Sequence, residues 1–342
     1  MGPITIVEVR QINKERIRRA SQRFDRYTKA DISKETALSM ATCSTALNEM
    51  LESGEVLKID QTGFSIGRPA DVFTYNPDFL HALALCTTIR EGRYVLEYVI
   101  ANALGQVVFR ETMTPRDITM ETLDDLIASL RAKDPCIKTV GLGIPGQARD
   151  GYIAQCDILG LQQLDFAGPI GRKYGIQVIV ENDVNIIAYF LHKNIAGGSA
   201  PENNFSALFF PDKENGYLGS GHIVNGHLLK GDTMLSGNLF RAAAAFGISL
   251  ERQLALLSNR EEFLTFAAQM VVMIACTINP SHLVLMGNHL AVEELDTIRR
   301  ICLQFISEKD LPALEIDHNT FDEYAEGLLR LTLDTALFPM LM

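Results

Sequence analysis

A carboxylate lies at a strand-to-helix junction in the middle of the chain. The stretch GIQVIVENDVNIIAYF predicts an apolar strand followed by an amphipathic helix, and ENDVN (residues 181–185) marks the junction. Asp183 could act there as a general base towards a bound hydroxyl group. It could equally accept a hydrogen bond from a bound ligand, or cap the helix that follows. Which of these roles Asp183 has depends on the helices and strands that surround ENDVN.

Composition indicates a folded protein of several lobes. The chain has 342 residues, of which 47% are hydrophobic and 21% are charged. Its apolar runs are broken well short of the roughly 20 residues that a membrane-spanning helix needs. The N-terminal stretch lacks the apolar centre of a secretory signal. We therefore expect a cytoplasmic protein that makes no membrane contact.

Cysteine and histidine spacing predicts neither disulfides nor a metal site. The cysteines are far apart and lie mostly inside apolar segments, as buried thiols do. They are Cys43, Cys86, Cys136, Cys156, Cys276 and Cys302. No pair of histidines has the HxxxH spacing of a zinc site. We expect no metal ligands among these residues.

Charge divides the chain into two parts. The net charge is −11, yet the first 78 residues carry 11 basic and 11 acidic groups. Between Arg10 and Lys34, nine basic residues face three acidic ones. The basic segment suits a polyanion such as DNA, whereas the acidic remainder does not.

The first 78 residues have the pattern of a winged helix. Residues 13–27 predict a basic amphipathic helix, and Asp31 and Ser39 are candidate caps of two further helices. Gly54 ends the third, and VLKIDQTGFSIGRPADVFTYN predicts a β-hairpin wing. A small α/β interaction module without a DNA role is the alternative.

In this interpretation the third helix enters the major groove of double-stranded DNA, and the basic first helix contacts phosphates. The candidate DNA contacts are Thr42, Ser44, Thr45 and Asn48 on the third helix, Arg18 and Arg19 on the first, and Arg68 in the wing. Arg68 could probe the minor groove or brace the turn. Because no arginine lies on the reading face, we expect a homodimer, or a dimer of dimers, that reads two half-sites.

The remaining chain alternates strands and helices, and the pattern occurs twice. HALALCTTI, YVLEYVIAN, QVVFRETM, a helix and KTVGLGIPG come first; FSALFFPD, YLGSGHIVNG, HLLKGD, a helix and HLVLMGNHL follow ENDVN. We expect a winged helix over 1–78, a first α/β lobe over 79–188 and a second over 189–342. A ligand cleft should lie between the lobes.

These motifs resemble those of the ROK (repressor, open reading frame, kinase) family. The similar stretches are GRPADVFTYN, ALGQVV, GLGIPG, ENDVN, GSGHIVNGHLLKG and INPSHLVLMGNHL. The resemblance implies an N-terminal winged helix joined to an actin- and hexokinase-like (ribonuclease H-like) body. It also implies that a helix over about 321–342 packs back on the first lobe; the apolar end of this helix could instead join a dimer interface.

Departures from the family's kinases indicate a regulator. Where the kinases hold nucleotide phosphates, this chain reads ALCTTIREGR and NGYLGSG, with Tyr217 in place of a glycine. Where they have Glu-x-Gly-His, it has Asn238 and Arg241. The cysteine cluster that shares the kinases' zinc is missing. The resemblance therefore implies no catalytic residue, no zinc and no cofactor.

We therefore expect a transcriptional repressor of carbohydrate metabolism that senses a sugar or sugar phosphate in a non-catalytic cleft. The candidate ligand contacts are Gly143, Gly146, Asn182, Asp183, Asn238 and Arg241. Arg241 could pair with a phosphate or form a surface salt bridge. Two alternatives are a ligand-independent regulator with a vestigial cleft and an active sugar kinase that uses Asp183.

Overall fold

The computed structural model describes residues 5–59, 71–195, 203–211, 217–233, 235–318 and 320–340. Helices and a two-stranded antiparallel sheet form the N-terminal module: α1 Ile6–Ser21, α2 Lys29–Thr36, α3 Met40–Glu52, β1 Val56–Ile59 and β2 Val72–Tyr75. The winged-helix prediction is confirmed. The tip of the wing, which includes Arg68, lies outside the described residues.

Side-chain caps fix where the helices of this module begin. The hydroxyl of Ser39 accepts a hydrogen bond from the N–H of Thr42 at the start of α3. At the start of α2 the cap is Thr28 and not Asp31. The Asp31 carboxylate instead accepts the N–H of Thr28, which completes a capping box.

The first helix differs from its sequence pattern at both ends. It begins at Ile6 and ends at Ser21, whereas the pattern indicated residues 13–27. Tyr27 lies beyond the helix and is buried with its ring stacked on Phe73 at 6.2 Å. The apolar spacing near Tyr27 therefore reports burial and not helix.

The two lobes of the body follow in chain order. The first lobe contains β3 His81–Arg90, β4 Arg93–Asn102, β5 Val107–Met113, α4 Met120–Lys133, β6 Ile137–Ile144, β7 Gly146–Arg149, β8 Tyr152–Cys156, β9 Leu164–Asp165, α5 Ala167–Tyr174 and β10 Gln177–Asn182. Helix α6 Asp183–Ile195 leads onward. The second lobe contains β11 Phe205–Phe209, β12 Gly219–Val224, β13 His227–Leu228, α7 Leu239–Ala245, α8 Leu250–Leu256, α9 Arg260–Thr277, β14 His282–Met286, α10 Leu295–Cys302 and β15 Ala313–Asp317, and α11 Thr320–Leu337 ends the described chain.

Each lobe has a five-stranded mixed sheet with the same arrangement, in the part of the chain described. In the first, β3 pairs antiparallel with β4 and parallel with β6; β5 and β10 lie at the edges. In the second, β11 pairs antiparallel with β12 and parallel with β14; β13 and β15 lie at the edges. The repeated topology predicted from the sequence is confirmed.

Helices α6 and α11 form the layer between the two sheets. Helix α6 packs on β11 and β12, and α11 packs on β3, β4 and β6, while the two helices pack on each other. Glycines permit this close approach. A Cβ at Gly327 in α11 would lie 2.7 Å from the Ile186 carbonyl oxygen of α6. A Cβ at Gly221 in β12 would lie 2.7 Å from the Val184 carbonyl oxygen.

Buried side chains connect the winged helix to the body. One continuous apolar cluster runs from Ile17 and Leu47 in the winged helix, through Leu80 and β3, to α6 and α11. Separate clusters lie on the outer faces of the two sheets. Among the helices of the described residues, none has the length and apolar character needed to span a bilayer.

Candidate ligand cleft and nucleic-acid interface

A cleft of about 480 Å³ opens between the lobes, at the carboxyl ends of β6, β10 and β11. The first lobe contributes Pro145 to Ala148, Gln155 to Asp157, Gln162 and the ENDVN residues. The second lobe contributes Phe209, Tyr217 to Ser220, Lys230, Ser236 to Asn238, Phe240, Arg241 and Leu250. This volume suits a small-molecule ligand.

Hydrogen bonds within the first lobe hold Asn182 and Asp183 in place. The side-chain amide of Asn182 donates to the Gly146 carbonyl at 2.8 Å and to Oδ1 of Asp183 at 2.9 Å. The same Oδ1 accepts the N–H of Val184 at 2.8 Å, in the first turn of α6. Asp183 thus serves the start of the helix and also lines the cleft.

The Asp183 carboxylate is poised to exchange a proton near neutral pH. Burial raises its pKa, the N–H of Val184 lowers it, and the carboxylate of Asp157 raises it, to about 7 in all. Part of Asp183 is exposed to the cleft, but its carboxylate is shielded from solvent and this desolvation dominates. A small change in surroundings therefore changes its charge.

The sequence interpretation missed Asp157, which follows β8 and lines the cleft. Its N–H donates to the Pro145 carbonyl at 3.0 Å. Its carboxylate makes no hydrogen bond or ion pair with the residues described, and burial raises its pKa. Nothing in the stretch QCDILG signals a site, because Asp157 reaches Asp183 only through the fold.

An ion pair crosses the cleft. Lys230 Nζ, from the second lobe, lies 2.9 Å from a carboxylate oxygen of Glu181, whose side chain is 5% exposed. Glu181 also accepts the side-chain amide of Asn185 at 2.9 Å and the N–H of Asn182 at 3.0 Å. Glu181 therefore holds ENDVN together by hydrogen bonds, and its ion pair with Lys230 connects ENDVN to the second lobe.

The two glycines predicted to contact ligand have different positions. Gly146 lines the cleft, but its carbonyl is already bonded to Asn182. Gly143 lies in β6, where its carbonyl accepts the Thr87 hydroxyl at 2.8 Å and an added Cβ would lie 2.4 Å from the Tyr324 hydroxyl. Gly143 faces α11 and not the cleft, so that prediction is wrong.

The second-lobe wall carries Asn238 and Arg241 beside two aromatic rings. The Tyr217 and Phe240 rings lie 4.7 Å apart, and the Arg241 guanidinium lies 5.5 Å from the Phe240 centroid. Arg241 is exposed and forms no salt bridge with any residue described. The side-chain oxygen of Asn238 is buried without a hydrogen-bond partner among those residues.

Where the kinases of the resembled family have their first phosphate loop, β3 and β4 meet in a tight turn. Glu91 and Gly92 both have positive φ, 48° and 68°, and the strand pairing continues up to Arg90 and Arg93. This is the two-residue hairpin geometry of a primed turn. The turn contains a single glycine, Gly92. Residues 212–216, in the stretch that corresponds to the second phosphate loop of the kinases, lie outside the described residues.

Within the ranges described, no group of three or more His, Cys, Asp or Glu side chains is arranged to hold a metal ion. His222, near the hairpin of β12 and β13, is bonded to Ser206 and Ser220, each at 2.8 Å. Burial lowers the pKa of His222 to about 4, so it is neutral at physiological pH. It serves as a buried polar link between β11 and β12.

The predicted reading face of α3 is only partly open. Thr45 and Asn48 are exposed, whereas Thr42 and Ser44 are half-buried. Lys29 of α2 was missed: its Nζ donates to the Ser44 hydroxyl at 2.9 Å and to the Asn48 side chain at 3.1 Å. Lys29 therefore adds a positive charge to this face.

Arg18 is not available to DNA, so the prediction for this residue is wrong. It is 8% exposed, and its Nη2 donates to a carboxylate oxygen of Glu55 at 3.0 Å. The same guanidinium donates to the Leu337 carbonyl at the end of α11. Arg19 is exposed and lies over the Phe338 ring at 4.8 Å.

Other basic groups of the module are also paired internally. Arg10 and Lys14 of α1 both pair with Glu49 of α3, and Arg23 pairs with Glu35. The basic excess read from the sequence is therefore partly neutralised within the module itself.

Known proteins share this fold. Residues 86–239 match the model of the ROK family. The xylose repressor of Bacillus subtilis (strain 168) is 22% identical over 240 residues, 68% of this chain and 60% of the repressor. The chain thus spans about 60% of the length of the curated relatives it matches.

Solved structures extend the match. A ROK family transcriptional regulator, a homologue of the E. coli Mlc protein, has a TM-score of 0.70 and 16% identity over 97% of this chain and 99% of its own. A putative N-acetylmannosamine kinase from Listeria monocytogenes has a TM-score of 0.56 and 14% identity over 75% of this chain and 100% of its own. The resemblance drawn from the motifs is confirmed: residues 86–239 match a ROK family domain, and the fold is that of a hexokinase-like body behind an N-terminal winged helix.

Proposed function

We propose that the protein is a DNA-binding transcriptional repressor of carbohydrate metabolism, with a cleft that senses a sugar. The observation that carries this proposal is the extent of the fold match. The ROK transcriptional regulator matches the winged helix and the body together, 97% of the chain, whereas the Listeria kinase matches 75%. The related proteins named xylose repressor support the same function.

The cleft suits binding better than phosphoryl transfer. Transfer requires a nucleotide held and aligned by its phosphates. The tight turn at Glu91 and Gly92, which contains a single glycine, argues against such a cradle. We propose that Asn182 and Asp183 hold sugar hydroxyls and that no phosphoryl group moves.

The helices between the lobes offer a route from cleft to DNA. Asp183 begins α6, and the Tyr189 hydroxyl of α6 donates to the Asp334 carboxylate of α11 at 2.6 Å. The last turn of α11 receives Arg18 from α1. Sugar that binds better to one lobe arrangement shifts the population towards it. In a homodimer this shift would change the spacing of the two winged helices.

DNA binding is tested by selecting operator sequences with the full-length protein and measuring affinity by fluorescence anisotropy. Thr45→Ala and Asn48→Ala should each weaken operator binding about 5- to 150-fold, because a good base contact contributes about 1–3 kcal/mol. Thr265→Ala is the matched control. The Thr45 and Thr265 hydroxyls both bond a carbonyl four residues earlier, at 3.0 Å in each case. Unchanged binding by both α3 variants would reject α3 as the reading helix.

Sugar sensing is tested by thermal shift against sugars, sugar phosphates and ATP, on wild type and Asp183→Ala. A sugar-induced shift that the variant loses supports a working sensor. Silence across the panel supports a regulator that needs no ligand. Sugar-dependent formation of ADP in a coupled assay would instead establish a kinase.

A further inference from the structure

The charged side chains that line the cleft differ in what they contact. Glu181 and Lys230 neutralise each other, and Asp183 is bonded to Asn182 and Val184. Asp157 of the first lobe and Arg241 of the second form no ion pair with any residue in the described ranges. Within the described residues, the cleft thus presents one carboxylate and one guanidinium that have no ion-pair partner, and the two come from opposite lobes.

These two groups make different demands on a ligand. A carboxylate accepts hydrogen bonds, so Asp157 suits hydroxyl groups, as Asp183 beside it does. A guanidinium only donates, and its strongest partners are carboxylate and phosphate, which it can bind through two parallel hydrogen bonds. A neutral sugar could meet the first demand fully and the second only weakly.

The surroundings of Arg241 orient it without consuming its hydrogen bonds. It lies near the face of Phe240, whose ring packs against Tyr217, and Tyr217 is 46% exposed. The aromatic pair can receive the C–H face of a sugar ring, and the stacking leaves the guanidinium edge open. The three residues form a shelf for a ring with an anionic substituent.

We infer that the effector is a sugar with an anionic group, a phosphate or a carboxylate. Its hydroxyls bind the first lobe at Asn182, Asp183 and Asp157, and its anion binds Arg241. This inference rests on the proposed sensing function and narrows it to one ligand class. Because such a ligand contacts both lobes, it binds the closed cleft more tightly than the open one, as a switch requires.

The experiment is isothermal titration of the full-length protein with matched ligands: glucose and glucose 6-phosphate, N-acetylglucosamine and its 6-phosphate, and glucose and glucuronate. Inorganic phosphate at equal ionic strength is the probe for the anion alone. At least one anionic member should bind at least about tenfold more tightly than its neutral partner, a difference of about 1.4 kcal/mol. The phosphate and carboxylate arms identify the anion.

Arg241→Ala should abolish the anionic preference, because the affinity for the anionic member should fall at least about tenfold more than the affinity for its neutral partner. Arg241→Lys should keep part of the preference, because the charge remains while the planar fork is lost. Arg300→Ala is the matched control: Arg300 is exposed on α10 of the same lobe, outside the cleft. Its preference should equal that of wild type.

Asp212 and Glu214 belong to the segment outside the described residues, so Asp212→Ala and Glu214→Ala complete the set. If either carboxylate occupied Arg241, its removal would strengthen anion binding several-fold, and the inference predicts no change. Equal binding of neutral and anionic partners, or an Arg241→Ala variant that keeps the preference, overturns the inference but leaves the sugar sensor intact. No binding by any sugar overturns both.

Discussion

Asp183 both accepts a hydrogen bond at the start of α6 and lines the cleft. Its Oδ1 serves the start of α6, and its carboxylate is shielded beside Asp157. Burial favours the neutral acid, whereas a bound hydroxyl or the helix N-terminus favours the anion. If a ligand hydroxyl bonds to the Asp183 carboxylate, its pKa should fall and the anion should be favoured.

This balance predicts a pH-dependent stability. The pKa of Asp183 is about 7 in the folded protein and near 4 when unfolded, so ionisation costs folding stability as pH rises from about 4 through 7. Asp183→Asn removes that cost and can still accept the Val184 N–H. At about 1.4 kcal/mol per pKa unit, the variant should be more stable than wild type by up to about 4 kcal/mol at pH 8.

Urea unfolding at pH 4.5, 6 and 8 checks this prediction. The advantage of Asp183→Asn should grow with pH and nearly vanish at the lowest value. The exposed Asp25→Asn is the control and should show no such trend. A constant difference across the series would mean that Asp183 titrates as an ordinary surface carboxylate.

Local sequence patterns revealed some of these residues and concealed others. ENDVN is visible because a strand-to-helix junction is a local pattern. Asp157 is not, because it follows β8, which belongs to a different sheet from β10, and only the fold brings it beside ENDVN at the end of β10. Arg18 was misassigned for the same reason: its partners Glu55 and Leu337 lie 37 and 319 residues away. Charge read along a helix cannot distinguish an open arginine from a buried one.

At the scale of elements, repeated patterning predicted the duplicated sheets, since strand order follows from hydrophobic period and short connections. It did not predict that α11 reaches the winged helix. The Met340 N–H donates to Glu15 at 3.0 Å, and the Gln22 amide donates to the Ala103 carbonyl at 3.0 Å. Together with Arg18 these contacts fix the orientation of α1 on the body.

Arg18→Met should destabilise the protein by about 3–5 kcal/mol, because Glu55, only 1% exposed, would be left buried without its cation. The double variant Arg18→Met with Glu55→Met should recover part of that loss. Arg23→Ala breaks an exposed pair with Glu35 and should cost less than about 1 kcal/mol. Chemical denaturation gives all three values. If the Arg18 and Arg23 variants lost similarly small amounts of unfolding free energy, the pair of Arg18 and Glu55 would be exposed to solvent rather than buried.

At the scale of the whole molecule, cleft and winged helix share one continuous apolar cluster. Two sites that bias the same conformations must affect each other equally. If the effector changes operator affinity by some factor, the operator must change effector affinity by that factor.

We expect a coupling of about 5- to 150-fold, the usual range for allosteric proteins. Anisotropy titrations of operator with and without effector, and calorimetric titrations of effector with and without operator, give the two factors. DNA of unrelated sequence is the control and should leave effector affinity unchanged. Unequal factors would show that the effector acts at a site other than the one titrated.

The contact between Arg18 and the Leu337 carbonyl also sets an order of events during synthesis. On the ribosome, Arg18 is made 319 residues before its partner. At about 5–20 residues per second, roughly 15–60 s separate the two. Helices α1 to α3 are therefore synthesised before α11, whose last turn holds α1 on the body. A nascent chain stalled before α11 therefore lacks the contact between Arg18 and Leu337, and the orientation of α1 is not yet fixed by it.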